Sequence, residues 1–425
     1  MARLSIERAP DVAQPGIFLH SVPAWGALAG LMLLAQGPAL LASRWSLATV
    51  ALVHVFTLGV LGNALFGSLL QFLPAAAGVR LLVGAWWANG LHAVFNLGTA
   101  ALVAGFWWAS PGLRAAGAVA LVMAFFELVV VTLPGVLAKA RSSLLHTGVG
   151  LSLAAALATA AMGGLLVAAM AGGIELPIQR WTDLHAATGV VGWILVLLAA
   201  VGRVVMPMFQ GAPAVPERCQ GAWLLWVAVG LPLAGMAWVP GGARSALAVA
   251  TSVAVLSLAL GGLWLQRHAR RSSGATLAAF WRVGLSALAL AVVLACLPGE
   301  RAVPVGALVL AVALPMLVLG MLLEIDAFLG WIDLHRRCGR GLQLPGVQTL
   351  LPPTRRHALF WLFAMAGAAA LLSALHPGEV GSRVAGALML VAYLALAHAQ
   401  RGVARAVDAF AQQHARCNVA LRSKP

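Results

Sequence analysis

"LVHVFTLGVLGNALFGSLLQFLP", residues 52–74, is apolar over the length of a bilayer crossing, yet it contains a histidine, an asparagine and a glutamine. An α-helix rises about 1.5 Å per residue, so the stretch is long enough to cross a hydrocarbon core of about 30 Å. An ionisable side chain such as His54 is costly in that environment and marks a functional site by default. The stretch therefore predicts a transmembrane helix that carries a site.

A second stretch repeats the same order of residues. In "HAATGVVGWILVLLAAVGRVVMP", residues 185–207, a histidine is followed by a threonine three residues later, by two glycines and by an apolar run that ends in proline. The later spans show no convincing copy of this pattern, so the sequence does not predict an inverted-repeat transporter.

The composition predicts an all-α, polytopic integral membrane protein. Hydrophobic residues make up 62% of the chain and charged residues 9%, compared with about 25% charged in a soluble domain. Apolar runs are continuous and do not alternate, which excludes a soluble fold and a β-barrel. The net charge of +15 does not indicate nucleic-acid binding, because the cations lie in short loops between the runs. Four scattered cysteines without a C-x-x-C motif predict neither a disulfide framework nor a zinc site.

The apolar runs predict about twelve transmembrane helices in a single membrane domain, residues 1–425. A cytoplasmic N-terminal segment (1–21) precedes a six-helix half (22–208), a connector (209–220), a second six-helix half (221–400) and a basic cytoplasmic tail (401–425). The predicted spans are 22–42, 46–73, 81–108, 113–138, 143–171, 183–208, 221–240, 244–266, 275–297, 302–330, 356–375 and 380–400.

The distribution of basic residues predicts the orientation. With the N-terminus inside, most of the 27 Lys and Arg residues lie on the cytoplasmic side, including those at 267–271, at 336–340 and in the tail. An excess of Lys and Arg in cytoplasmic loops is the rule for such proteins. Both termini are therefore predicted to be cytoplasmic.

Four histidines are candidate cofactor ligands. His54 and His92 are each about ten residues into adjacent antiparallel spans, so both are expected near the middle of the membrane. That arrangement suits two axial imidazoles of one haem or two ligands of a copper ion. His146 is expected near the inner end of the fifth span and His185 near the outer end of the sixth. The alternative for each is a hydrogen bond to a neighbouring helix.

The chemistry of imidazole favours iron, copper, zinc or nickel, and no H-E-x-x-H motif or carboxylate cluster faces these histidines. A flat macrocycle needs small residues beside it. Five glycines are expected to leave space for such a macrocycle: Gly59, Gly62, Gly67, Gly98 and Gly189. The alternative role of these glycines is to allow close packing between helices. Thr57 and Asn96, one turn from a histidine, are candidates to orient a ligating imidazole, or they make ordinary interhelical hydrogen bonds.

The carboxylates give one further candidate. Glu127 is expected in the middle of the fourth span, as a proton-relay group or a protonated carboxyl bonded to a neighbour. Glu324, Asp326 and Asp333 are expected in solvated pairs with Arg336 and Arg337 at the inner end of the tenth span. The other histidines considered are expected at the surface: His20, His268, His335, His357, His376 and His398.

Residues 54–74, "HVFTLGVLGNALFGSLLQFLP", resemble the second helix of haem–copper oxidase subunit I and of the related nitric oxide reductase. The chain is also similar to the NnrS family of twelve-span bacterial membrane proteins. The resemblance implies haem b bound by His54, and further haem or copper ligation by His92, His146 and His185, with copper at His54, His92 or His185. It also implies a link to nitric oxide.

The chain departs from the oxidases in its reaction centre. It has no His-His pair, the predicted spans 7 to 10 have no histidine in mid-membrane, and its one tyrosine, Tyr393, is near no histidine motif. Oxygen reduction coupled to proton pumping is therefore not expected.

The sequence thus predicts a bacterial inner-membrane haem protein, with copper as a further expectation and with redox or nitric-oxide-related chemistry. Its expected partners are the lipid bilayer and a redox partner or an oxidase-related protein. A haem-dependent oxidoreductase activity remains open. Two alternatives also remain open: a twelve-span permease or metal/haem transporter without a cofactor, and an accessory or assembly subunit.

Overall fold

The computed structural model describes residues 9–81, 83–141, 143–238, 244–270, 274–338 and 342–414. Within these ranges the chain is helical, no residue lies in a β-strand, and twelve helices are long and apolar enough to cross a membrane. A one-turn helix, Val347–Leu350, precedes the eleventh of them. The twelve are α1 (Ala13–Leu41), α2 (Leu47–Ala75), α3 (Ala85–Trp107), α4 (Pro111–Ala140), α5 (Leu144–Met170), α6 (Ile178–Gln210), α7 (Glu217–Trp238), α8 (Ser245–Arg267), α9 (Ala275–Cys296), α10 (Ala302–Cys338), α11 (Pro353–Leu375) and α12 (Glu379–Gln413).

The all-α class and the number of spans are confirmed, but three helix ends differ from the prediction by eight residues or more. Helix α1 begins at Ala13, within the segment expected to precede the first span. Pro15 does not prevent this, because the first turn of a helix needs no intrahelical N–H donor. Helix α10 continues to Cys338 and α12 to Gln413, so residues 401–413 are helical and not an irregular tail.

The extension of α12 is amphipathic. Val403, Val407 and Ala411 are buried on one face at helical spacing, while their neighbours along the chain are half-buried or exposed. The continuous apolar stretch ends near residue 400, so a prediction from the length of apolar stretches places the end of the helix there.

Helices α2, α6 and α10 share an unusual construction. Each begins as an α-helix, passes through a wider π-helical segment and continues as an α-helix; the π-helical segments are Val55–Gly62, Thr188–Leu195 and Leu308–Ala313. These three helices are also the most deeply buried. In the 18-residue apolar stretch of each, 72%, 67% and 72% of the residues are buried, compared with at most 50% in the other nine helices of the described chain. Helix α7 has a shorter π-helical segment, Trp226–Gly230. The second half of the chain therefore contains two helices with a π-helical segment, α7 and α10, although the sequence pattern of α2 and α6 does not recur there.

The helices divide into two compact units. The middle unit comprises residues 77–278 and 285–301, and thus helices α3 to α8 with most of α9. The terminal unit comprises residues 3–76, 279–284 and 302–425, and thus α1, α2, α10, α11 and α12. This division differs from the two sequence halves separated by residues 209–220.

The terminal unit is built on close helix crossings at glycines. A methyl group at Gly30 of α1 would lie 2.7 Å from the carbonyl oxygen of Gly386 in α12, and one at Gly386 would lie 2.7 Å from that of Gly30. Tyr393 of α12 fills the space over Gly26 of α1 and packs edge-on against Phe363 of α11. Small residues of this kind let membrane helices approach closely.

The middle unit is held by aromatic packing and by side-chain bonds across helices. Phe125 of α4 packs edge-on against both Phe95 of α3 and Trp193 of α6. The hydroxyl of Ser152 donates to the carbonyl oxygen of Trp193 at 2.8 Å, which ties α5 to the π-helical part of α6. The connector after α6 is fixed by Arg203, which donates to the Val215 carbonyl and to Gln220.

The cysteines differ from the prediction in one respect. Cys219 and Cys296 are free thiols, whereas Cys338 is disulfide-bonded. The widely spaced cysteines gave no sequence signal for this disulfide.

Candidate functional site

His54 lies at the junction between the α-helical start of α2 and its π-helical segment. It is the last residue of Leu47–His54, and Val55–Gly62 follows directly. Its Nδ1 atom is 2.8 Å from the carbonyl oxygen of Val50, one turn earlier. A neutral imidazole that donates from Nδ1 carries its lone pair on Nε2, which is the common arrangement of a metal-binding histidine. π-helical turns also occur frequently at functional sites.

His185 occupies a comparable place in α6. It lies three residues before the π-helical segment Thr188–Leu195, and its Nδ1 atom is 3.0 Å from the carbonyl oxygen of Thr159 in α5. Gly163 leaves room for the ring, since a methyl group there would lie 3.2 Å from Cε1 of His185. The repeated sequence pattern thus corresponds to a repeated backbone feature, with a carbonyl partner for each ring.

His146 is bonded differently from the other candidates. It is buried, and its Nε2 atom is 2.9 Å from the carbonyl oxygen of Ala77 in the segment between α2 and α3. Lys139 donates to the next carbonyl, that of Gly78, at 2.7 Å. The two side chains together hold this segment against α4 and α5, which is a structural role. The Nδ1 atom of His146 has no hydrogen-bond partner within the described residues.

The four candidate histidines are divided between the two units. His92, His146 and His185 belong to the middle unit, and His54 belongs to the terminal unit. His92 is half-buried on α3. The described part of the chain contains no group of three or more His, Cys, Asp or Glu side chains placed to hold a metal ion.

The residues expected to orient a ligand bond to the main chain of their own helices. The Thr57 hydroxyl donates to the carbonyl oxygen of Val53 at 2.9 Å. The Asn96 amide donates to the carbonyl oxygen of His92 at 3.0 Å, and so contacts the backbone of that histidine. Both bonds run from residue i to residue i−4, which is the ordinary way for a transmembrane helix to satisfy such side chains.

Helix packing fills the space beside four of the five glycines. A methyl group at Gly59 would lie 2.6 Å from the Trp25 ring, and one at Gly67 would lie 2.9 Å from Leu19. Gly98 faces Leu121, and Gly189 faces Thr159 in the same way. Gly62 is buried in the π-helical segment of α2. At those four positions the glycines serve close packing and do not leave a cradle for a macrocycle.

Glu127 lies near the middle of α4 and is half-buried. Met123, Phe126 and Val130 beside it are 60%, 57% and 53% exposed, so the carboxyl group borders an apolar surface suited to lipid. A proton-relay role for Glu127 remains a prediction.

The polar groups that the sequence analysis assigned wrongly are in α10. Glu324 and Asp326 were expected in solvated pairs, but both are buried. Glu324 forms an ion pair with the buried Arg356 of α11, and Asp326 accepts a hydrogen bond from Gln400 of α12. Asp333 does pair with Arg337, as expected. The missed signal is that apolar residues continue past 330, at Ile332 and Leu334, which places 324 and 326 well inside the helix.

The terminal unit contains an apolar cavity beside the first half of α2. It has a volume of about 90 Å³, and Val53, Phe56, Leu310 and Met389 are among its lining residues, with Arg44 the only charged one. Binding pockets for small organic molecules are usually about 300–1,000 Å³. The cavity is therefore too small for a tetrapyrrole.

Comparison with known protein families and with curated proteins gave no match for this chain. The structure defines a class, a polytopic α-helical membrane protein. The resemblance to the haem–copper oxidases and to the NnrS family remains a prediction from short motifs.

Proposed function

We propose that this protein binds haem within a bacterial inner membrane, with His54 as an axial ligand. His92, His146 and His185 are candidates for further haem or copper ligation. The observation that carries the proposal is the repeated arrangement in α2 and α6. In each, a histidine lies within three residues of an eight-residue π-helical segment, with Nδ1 bonded to a main-chain carbonyl. The bond from Nδ1 favours the tautomer in which Nε2 carries the lone pair, which is the atom that ligates a metal in this arrangement.

A bound haem would supply electron transfer or the binding of a small diatomic molecule such as nitric oxide. The chain's own contribution would be to fix the tautomer of the ligating imidazole and to exclude water through the apolar residues of its own helix. The donor atoms fit axial ligation, whereas the glycines do not supply the space. The proposal therefore rests on the histidines alone.

The test is the visible spectrum of the purified full-length protein, oxidised and then reduced with dithionite, together with its iron and copper content. We expect a Soret band, sharp α and β bands on reduction, and loss of both in His54→Ala. His268→Ala is a matched control, because the Nδ1 atom of His268 also bonds to a carbonyl one turn earlier, at 2.8 Å, but the residue is exposed and precedes no π-helical segment. A colourless, iron-free protein from haem-supplied cells would overturn the proposal.

A second candidate function, a permease, is favoured by one observation. Membrane helices rarely bury carboxylates, and α10 buries two, Glu324 and Asp326, which each bond to a different neighbouring helix. Such groups commonly mark ion or substrate pathways. A colourless protein that exchanges a labelled solute across proteoliposome membranes would favour this alternative.

A further inference from the structure

Asp326 of α10 has an incomplete set of partners. Its side chain is buried, with 5% of the residue exposed, and Oδ2 accepts a hydrogen bond of 2.8 Å from Nε2 of Gln400. The same Nε2 donates to the carbonyl oxygen of Leu19 at 3.2 Å. The other carboxyl oxygen, Oδ1, is buried without a hydrogen-bond partner among the described residues. Buried polar atoms are nearly always paired, so an orphan oxygen indicates a missing partner.

Gln71 of α2 is a second, independent indication. It is 5% exposed, and neither its amide nitrogen nor its amide oxygen has a partner in the described chain. Gly67, one turn earlier, packs on Leu19, and Ala75, one turn later, packs with Ile332 of α10. Gln71 therefore lies between two contacts of α2, one with α1 and one with α10, in the same unit as Asp326.

The charge of Asp326 is not balanced by any side chain in the described part of the terminal unit. The arginines of α10 and α11 have other partners: Arg337 pairs with Asp333 and Asp408, and Arg336 donates to the carbonyl oxygens of Ala9 and Pro10. Arg356 pairs with Glu324 through Nη1, and its buried Nη2 atom has no hydrogen-bond partner among the described residues. A buried carboxylate needs a compensating charge or a proton, because an isolated ion is very costly in an apolar interior.

We propose that Asp326 is the binding site for one small monovalent cation, H⁺ or Na⁺. The cation binds at Oδ1, on the carboxyl group that shares the Gln400 amide with the carbonyl oxygen of Leu19. Hard cations prefer carboxylate and carbonyl oxygens, and a proton on Oδ1 satisfies the same orphan atom. The site lies within the terminal unit and needs no haem, so its test is independent of whether the proposed haem binding is correct.

The first test is the thermal unfolding midpoint of the full-length protein in detergent, measured against Na⁺ at fixed pH and against pH without Na⁺. Choline chloride keeps the ionic strength constant. A cation that binds only the folded protein raises the midpoint, by about 2 °C or more per tenfold increase once the site is saturating. A response to Na⁺ identifies sodium, and a response only to falling pH identifies a proton.

Two variants test whether the dependence of the unfolding midpoint on Na⁺ or pH arises from Asp326. Asp326→Asn keeps an acceptor for Gln400 but cannot bind the cation, so we expect it to fold and to lose the dependence. Asp333→Asn, on the same helix but paired with Arg337, is expected to retain it. Identical Na⁺ and pH dependence in wild type and Asp326→Asn would overturn the proposal.

A second measurement covers the case in which Asp326→Asn does not fold. Dicyclohexylcarbodiimide modifies carboxyl groups in apolar surroundings when they are protonated, and the modified residue is mapped by mass spectrometry. We expect labelling of Asp326 in the wild-type protein, slowed by raised pH alone for a proton site and also by Na⁺ for a sodium site. Absence of labelling at Asp326 at any pH, without Na⁺, would count against the cation site.

Discussion

At the scale of single residues, the sequence indicated which polar side chains lie in apolar spans, but not which neighbours they meet. Thr57 and Asn96 bond to their own helices, whereas Glu324, Asp326 and His146 bond across helices. The difference depends on the face that each residue occupies, and a nearly uniform apolar run carries little information about faces. His54 could be selected from sequence, because an imidazole in such a run is unusual at any face.

The buried ion pair between Glu324 and Arg356 leads to a stability prediction. Removing one partner leaves an uncompensated charge in an apolar interior, so Arg356→Gln is expected to destabilise the protein by about 3–5 kcal/mol. The double variant Glu324→Gln/Arg356→Gln is expected to recover much of that loss. The measurement is chemical or thermal unfolding in detergent.

The exposed pair of Arg383 and Glu379 provides the control, since both side chains are more than half exposed. Exposed ion pairs contribute about 0–1 kcal/mol, so Arg383→Gln should change stability by no more than that. Equal effects of Arg356→Gln and Arg383→Gln would contradict the role assigned to the buried pair.

At the scale of helices, the twelve spans could be predicted because apolar length is a strong signal, and the errors fell at the ends. The first span was predicted to begin at residue 22 but begins at Ala13, because the first turn of a helix accepts Pro15. The π-helical segment of α10, Leu308–Ala313, was not predicted, because α10 does not repeat the order of histidine, threonine and glycine found in α2 and α6. A π-helical turn is a property of backbone hydrogen bonding and packing, and the residues within it need not be alike.

The crossing of α1 and α12 leads to a prediction about glycine. A methyl group at Gly386 would lie 2.7 Å from a carbonyl oxygen and 2.8 Å from the Leu34 nitrogen, both of which are backbone atoms that cannot move aside alone. Gly386→Ala is therefore expected to lower stability by about 1–3 kcal/mol, as overpacking usually does. The unfolding midpoint in detergent is the measurement.

Gly261 of α8 is a suitable control, because nothing lies within 4 Å of a methyl group placed there. Gly261→Ala should leave stability unchanged or raise it by up to about 1 kcal/mol, since alanine favours a helix over glycine. If Gly386→Ala were as well tolerated as Gly261→Ala, the helices would not cross as closely as the structure has them.

At the scale of the whole molecule, the sequence could predict a polytopic bundle but not its grouping into units. The chain returns to its starting unit after some 225 residues, since residues up to 76 group with those from 302 onward. Long-range contacts such as the Gly30–Gly386 crossing produce this grouping, and local sequence patterns do not predict such contacts. The sequence does predict an orientation for all twelve helices through the positions of Arg and Lys, and that orientation is open to a direct test.

Two free and exposed cysteines provide the test of the predicted orientation. Cys219 lies in the first turn of α7 and Cys296 is the last residue of α9. With both termini cytoplasmic, odd-numbered helices run outward, so Cys219 faces the cytoplasm and Cys296 the periplasm. A membrane-impermeant maleimide applied to spheroplasts should label the wild-type protein and Cys219→Ser, but not Cys296→Ser, and detergent should expose Cys219 in the last variant. The reverse pattern, with labelling lost in Cys219→Ser and kept in Cys296→Ser, would invert the topology and with it the assignment of basic loops to the cytoplasm.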